Sequence, residues 1–202
     1  MRSERKKIFK IDWILVLVYF FLICFGLANI ISSSISGENI SLLDFNTLYG
    51  KQFVFILISF VIIIISLTIE VKFYERFSSV FYLVCILFIL GLFLFGNRVN
   101  GALSWYSFSG ITLQPSEFMK VGVALAVAKF ISDFQTNLKK SQDQIKIFLI
   151  IFLPILLIVL QNDTGTSIVF LSLFFVLYRE GISQIYLFIA FVILTVSILT
   201  IK

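Results

Sequence analysis

The chain has 202 residues, 60% of them hydrophobic and only 13% charged, with 25 Phe, no His and a formal net charge of +5. A soluble domain of this size needs far more polar surface, so the composition excludes one. The lack of His excludes imidazole-based triads and His-based metal sites, and leaves acid–base chemistry to Asp, Glu, Lys or Tyr.

Apolar runs of about 20 residues, the length that crosses a bilayer, recur along the chain. They predict an all-α polytopic membrane protein with about seven transmembrane helices, at 11–31, 52–70, 79–95, 116–132, 146–160, 166–179 and 184–201. Runs such as Val61-Ile62-Ile63-Ile64-Ile65 lack the two-residue alternation of a β-barrel. The first span follows Arg2, Arg5, Lys6, Lys7 and Lys10 without a small-residue cleavage site, and reads as a retained signal anchor. Cys24 and Cys85 fall in the middle of apolar runs and read as small buried hydrophobes.

With the N-terminus in the cytoplasm, the inside segments hold Arg2, Arg5, Lys6, Lys7, Lys10, Lys72, Arg76, Lys129, Lys139, Lys140, Lys146 and Arg179. The outside segments then hold only Lys51, Arg98 and Lys202. That asymmetry is the positive-inside bias, and it predicts a cytoplasmic N-terminus. The net charge is thereby explained by orientation, without nucleic acid.

The third and fourth spans are joined by a polar, Gly-punctuated stretch, Gly96 to Leu113, after which Gln114, Glu117 and Lys120 open the fourth span. An ionisable group at membrane depth costs about 2.5–3.5 kcal/mol or more, so these residues point to a site or to a structural ion pair. Gln114-Pro115-Ser116-Glu117 has the pattern of a helix start, with Pro at the first helical position and Glu in the first turn. Glu117 and Lys120 share a helix face and can pair. A pair of that kind can also keep an outward-opening cavity polar.

Arg98 and Trp105 precede that helix. Trp105 reads either as an interfacial anchor or as part of a binding surface. Arg98, on the side poor in basic residues, is suited to an anion such as a lipid phosphate. The spans 146–160 and 166–179 are short, and predict either two short spans or a re-entrant hairpin turning at Gln161-Asn162-Asp163-Thr164-Gly165-Thr166. Asp163 there reads as turn and helix-cap chemistry or as a site residue. No internal repeat or linker divides the chain, which reads as one membrane domain over 1–202. Its end at Lys202, directly after an apolar run, suggests truncation.

These residues resemble the SEDS family (RodA, FtsW and SpoVE), the rod-shape branch most. The match includes Ile11-Asp12-Trp13, Asp44-Phe45 with Tyr49-Gly50-Lys51-Gln52, Asn100-Gly101-Ala102, Trp105, Gln114-Pro115-Ser116-Glu117 with Lys120, Pro154, and Gln161-x-Asp163-x-Gly165-Thr166-Ser167, in family order across the chain. The resemblance implies a peptidoglycan glycosyltransferase that polymerises lipid II at the outer face of the bacterial cytoplasmic membrane, for cell elongation and shape or for division. It implies a class B penicillin-binding protein as partner, within the elongation or division machinery. It also implies a carboxylate base, positive charge for the departing pyrophosphate and frequently a divalent cation. The candidate substrate-binding residues are Arg98, Trp105, Gln114, Glu117, Lys120 and Asp163.

Three departures from the family pattern stand out. Ser104 replaces an Arg often found before the loop Trp, and Asn162 replaces the Pro of a Gln-Pro-Asp turn. The family has ten spans, with a proposed catalytic Asp in a large external loop after the seventh, where this chain stops. No catalytic residue is therefore assigned, and the chain alone is expected to be inactive as a polymerase. Two other readings stay open, a flippase for lipid-linked precursors and a non-catalytic membrane scaffold for a penicillin-binding protein.

Overall fold

The computed structural model describes residues 12–34, 47–108, 111–132 and 136–186, with Ile189, Phe191, Val192 and Thr195 beyond them. The basic N-terminal segment, the Asp44-Phe45 motif and most of the expected span 184–201 lie outside the described residues. The chain divides into two compact units, Met1–Ile69 and Glu70–Lys202.

The first unit is a pair of helices, α1 (Trp13–Ser34) and α2 (Leu48–Thr68). Both are long and apolar enough to cross a membrane. Their hydroxyls turn back on their own helices, Ser33 Oγ to Ile30 O, Ser59 Oγ to Phe55 O and Thr68 Oγ1 to Ile65 O. Such bonds satisfy polar groups where lipid offers no partner. α2 starts four residues earlier than expected because Thr47 caps it, its side chain accepting from Gly50 N at 3.1 Å. α1 has no buried residue. Cys24 is accordingly exposed on its surface, a correction to the buried reading, whereas Cys85 is buried.

The second unit holds α3 (Val71–Phe95), a three-stranded antiparallel sheet, α4 (Pro115–Ser132), α5 (Ser141–Leu160) and the helical stretch from α6 (Thr164–Val169) through a 3-10 turn into α7 (Leu173–Arg179). α3, α4 and α5 pack around a core in which Ile89, Met119, Val123, Ile147 and Ile151 are fully buried. Gly122 of α4 faces Phe81, Tyr82 and Cys85 of α3, where a Cβ would stand at an ordinary contact distance of 3.6 Å. Small residues are common where helices pack in lipid.

α3 and α5 begin before the expected spans because the polar residues ahead of each apolar run, Lys72, Glu75 and Arg76 or Ser141 to Gln144, are already helical. α5 is thus 20 residues long, which at about 1.5 Å per residue matches the bilayer core. Its arm of the expected hairpin is of spanning length, and only Thr164–Arg179 is short.

Pro154 lies inside α5, where it cannot donate to the carbonyl of Ile150. Tyr82 of α3 supplies the missing donor, its hydroxyl reaching Ile150 O at 3.0 Å.

The stretch after α3, expected as a loop, is a sheet of β1 (Asn97–Val99), β2 (Ala102–Phe108) and β3 (Ile111–Leu113) in that order. Val99 pairs with Ala102 across Asn100 and Gly101, whose φ values are +50° and +87°. Both central residues at positive φ make the primed two-residue turn that Asn-Gly favours.

Candidate functional site at the sheet end of the helices

The C-termini of α3 and α5, the sheet and the N-terminus of α4 meet at one end of the second unit. Gln161, 3% exposed, fastens them. Its Nε2 donates to Ile89 O of α3 at 2.8 Å, and its carbonyl accepts from Leu103 N of β2 at 2.9 Å. Tyr106 of β2 adds a second tie, its hydroxyl donating to Phe88 O at 2.9 Å above Gly91. A Cβ on Gly91 would lie 2.5 Å from that hydroxyl. Burial raises the Tyr106 phenol above its ordinary pKa.

On this frame sit the six candidate residues. Gln114, just before α4, donates from Nε2 to Asp163 Oδ2 at 3.1 Å and to Thr166 Oγ1 at 3.3 Å. Asp163 is the N-cap of α6, its Oδ1 accepting from Thr166 N at 3.1 Å. Gln114 and Asp163, distant in sequence, are therefore in direct contact, and the cap reading of Asp163 is what the geometry displays. Glu117 and Lys120 pair at 2.6 Å, with side chains 54% and 32% exposed. Arg98 is exposed on β1 opposite Leu103, and Trp105 stands opposite Asn97. Leu103 and Trp105 alternate with Ser104 and Tyr106, so Arg98 and Trp105 belong to the sheet face turned away from Tyr106's contact with α3.

Ser104 is buried on the helix-facing side, with no hydrogen-bond partner for its Oγ among the described residues. The charge lost by having Ser there is thus not taken from the face that carries Arg98. Asn162 adopts φ +60°, which a Pro ring cannot reach. The turn before Asp163 consequently has a different backbone from one built on Pro.

Beside the polar groups, Phe81, Val84, Cys85, Phe88, Leu113, Pro115 and Phe118 line an apolar groove of about 190 Å³ between α3 and α4. A divalent cation asks for several oxygen ligands in one place. Among the described residues no three His, Cys, Asp or Glu side chains converge, and Asp163 has both oxygens engaged. These residues do not by themselves form a cation site.

Sequence reasoning missed Gln161 as the fastener and Tyr82 as the partner of the kinked helix. Pro154 in an apolar run was a signal that some neighbour must serve the freed carbonyl.

The fold matches crystal structures of the rod shape determining protein RodA of Thermus thermophilus. One aligns at TM-score 0.79 and 22% identity, covering 96% of this chain and 61% of that chain. A structure of a peptidoglycan synthase complex aligns at TM-score 0.76 and 21% identity, over 96% of this chain and 55% of the other. In sequence, the chain is 33% identical over 151 residues to the peptidoglycan glycosyltransferase MrdB of Escherichia coli K12, covering 74% of this chain and 39% of that protein. It is 32% identical over 171 residues to the peptidoglycan glycosyltransferase RodA of Treponema pallidum, covering 82% of this chain and 37% of that protein. The chain therefore spans less than half the length of these relatives. The family model for the FtsW, RodA and SpoVE cell cycle proteins matches residues 12–202, and the chain, a multi-pass helical membrane protein, belongs to that family.

Proposed function

We propose that this chain is the lipid-handling part of a peptidoglycan glycosyltransferase that polymerises lipid II at the outer face of the cytoplasmic membrane, in cell elongation or division. One observation carries the reading. Gln114, Glu117, Lys120 and Asp163 lie at the start of α4 and the α5–α6 turn, and an apolar groove walled by Leu113, Pro115 and Phe118 adjoins the start of α4, with Arg98 exposed on the neighbouring sheet. An amphiphile with a pyrophosphate head and a prenyl tail needs that juxtaposition.

Arg98 and Lys120 supply positive charge for the pyrophosphate, and Glu117 holds Lys120 in place when no substrate is bound. Gln114 and Asp163 keep the start of α4, and so Lys120, against the α5–α6 turn. Trp105 sits at headgroup level as an interfacial ring. The positive-inside asymmetry supports a cytoplasmic N-terminus and, with it, an outer position for the sheet end. The likeness to a peptidoglycan synthase complex supports a class B penicillin-binding protein as partner.

The test is retention of lipid II by the purified chain in neutral detergent. We expect saturable binding, weakened about tenfold by Lys120→Ala or Arg98→Ala, the size of one lost charge-assisted hydrogen bond. Binding no better than that of an uncharged prenyl alcohol would end the proposal.

A further inference from the structure

At the opposite end of the second unit, residues 136–140, which lead into α5, are tied down. Thr136 Oγ1 donates to Phe130 O at 2.8 Å, Asn137 N to Asp143 Oδ2 at 3.0 Å, and Lys139 N to Asn137 Oδ1 at 3.0 Å. Gln144 Nε2 donates to Leu138 O at 2.8 Å and in turn accepts from the Tyr186 hydroxyl at 3.1 Å. Leu138 is buried beneath them. A segment held by so many side-chain bonds is preorganised, and binding to it costs little ordering entropy.

Between residues 136–140 and the turn after α7 lies a groove of about 530 Å³, mostly polar, with Lys139, Lys140 and Glu180 on its rim and Ile131 and Leu138 in its wall. That volume falls within the range of small-ligand sites. Arg179 pairs with Glu180 Oε1 at 3.4 Å, and Lys146 with Asp143 at 3.5 Å. Among the described residues neither Lys139 nor Lys140 forms an ion pair. Since α5 is as long as the bilayer core is thick, its first turn and this groove stand at headgroup level.

We propose that this groove holds the headgroup of an anionic glycerophospholipid whose acyl chains lie along the adjoining apolar helices. The phosphodiester sits on Lys139 and Lys140, and hydroxyls of a glycerol headgroup donate to Glu180. Two cations and one acceptor fit an anionic, hydroxyl-bearing head better than a choline, whose quaternary ammonium donates no hydrogen bond. Basic pockets between membrane helices recognise acidic lipids in this way. The inference stands apart from the proposed function, because it uses neither the sheet end nor lipid II.

The experiment is native mass spectrometry with matched thermal-shift measurements on the chain in neutral detergent. Phosphatidylglycerol, phosphatidylethanolamine, phosphatidylcholine or inorganic phosphate is added in turn. We expect phosphatidylglycerol adducts and stabilisation, weakened about tenfold by the double change Lys139→Gln with Lys140→Gln. Lys72→Gln, a cation at the same end but outside the groove, leaves binding unchanged. Three results each overturn the proposal. They are equal binding of phosphatidylcholine or phosphatidylethanolamine, equal stabilisation by inorganic phosphate alone, and an equal loss with Lys72→Gln.

Discussion

Tyr82 and Pro154 act as one unit, a hydroxyl replacing the amide that proline lacks. Tyr82→Phe leaves the Ile150 carbonyl unpaired inside the helix packing and is expected to destabilise the protein by about 1–3 kcal/mol. In a Pro154→Ala background the helix satisfies its own carbonyl, and the same change costs much less. Unfolding midpoints of the four proteins in detergent form the cycle, and equal costs in both backgrounds refute the coupling. Asn162 makes a second residue-level case. Proline there would clash with φ +60° and delete the bond from Asn162 N to Val159 O at 2.9 Å. We expect Asn162→Pro to cost at least about 1–3 kcal/mol and Asn162→Gly almost nothing. If both variants unfold alike, the left-handed turn is not required. The pairing of Glu117 with Lys120 and the cap by Asp163 were legible in the sequence, because both are contacts within one helical turn. Gln114 meeting Asp163 was not, since no local spacing encodes a contact between separate helices.

At the scale of elements, the helices were legible from their apolar runs, and the ends at Phe95, Ser132, Leu160 and Arg179 fall where expected, while α3 and α5 start earlier through polar first turns. The sheet was hidden. Its strands are short and sit between two spans, where a polar stretch reads as loop. The clearest signal was Asn100-Gly101 between Val99 and Ala102, which demands a two-residue hairpin once strands are considered. Gly101 at φ +87° makes the hairpin testable. Gly101→Val forces a β-branched residue into a conformation it avoids. Trypsin should then cut after Arg98 several-fold faster, while far-ultraviolet dichroism of the helices stays unchanged. An unaltered cleavage rate would show that the turn contributes little.

For the whole molecule, the charge asymmetry makes an orientation measurable. A cysteine introduced as Ser107→Cys is expected to react with an impermeant maleimide on intact cells, and one introduced as Gln142→Cys only after permeabilisation. The reverse pattern would invert the topology and remove the sheet end from the outer face. The fastener at Gln161 adds a consequence for biogenesis. A nascent chain that has inserted only α3 and α4 lacks the residue that bonds both the Ile89 carbonyl and the Leu103 amide. Gln161 reaches both partners only once α5 has been made, so this end of the unit is expected to close after α5 inserts and not while α3 and α4 stand alone.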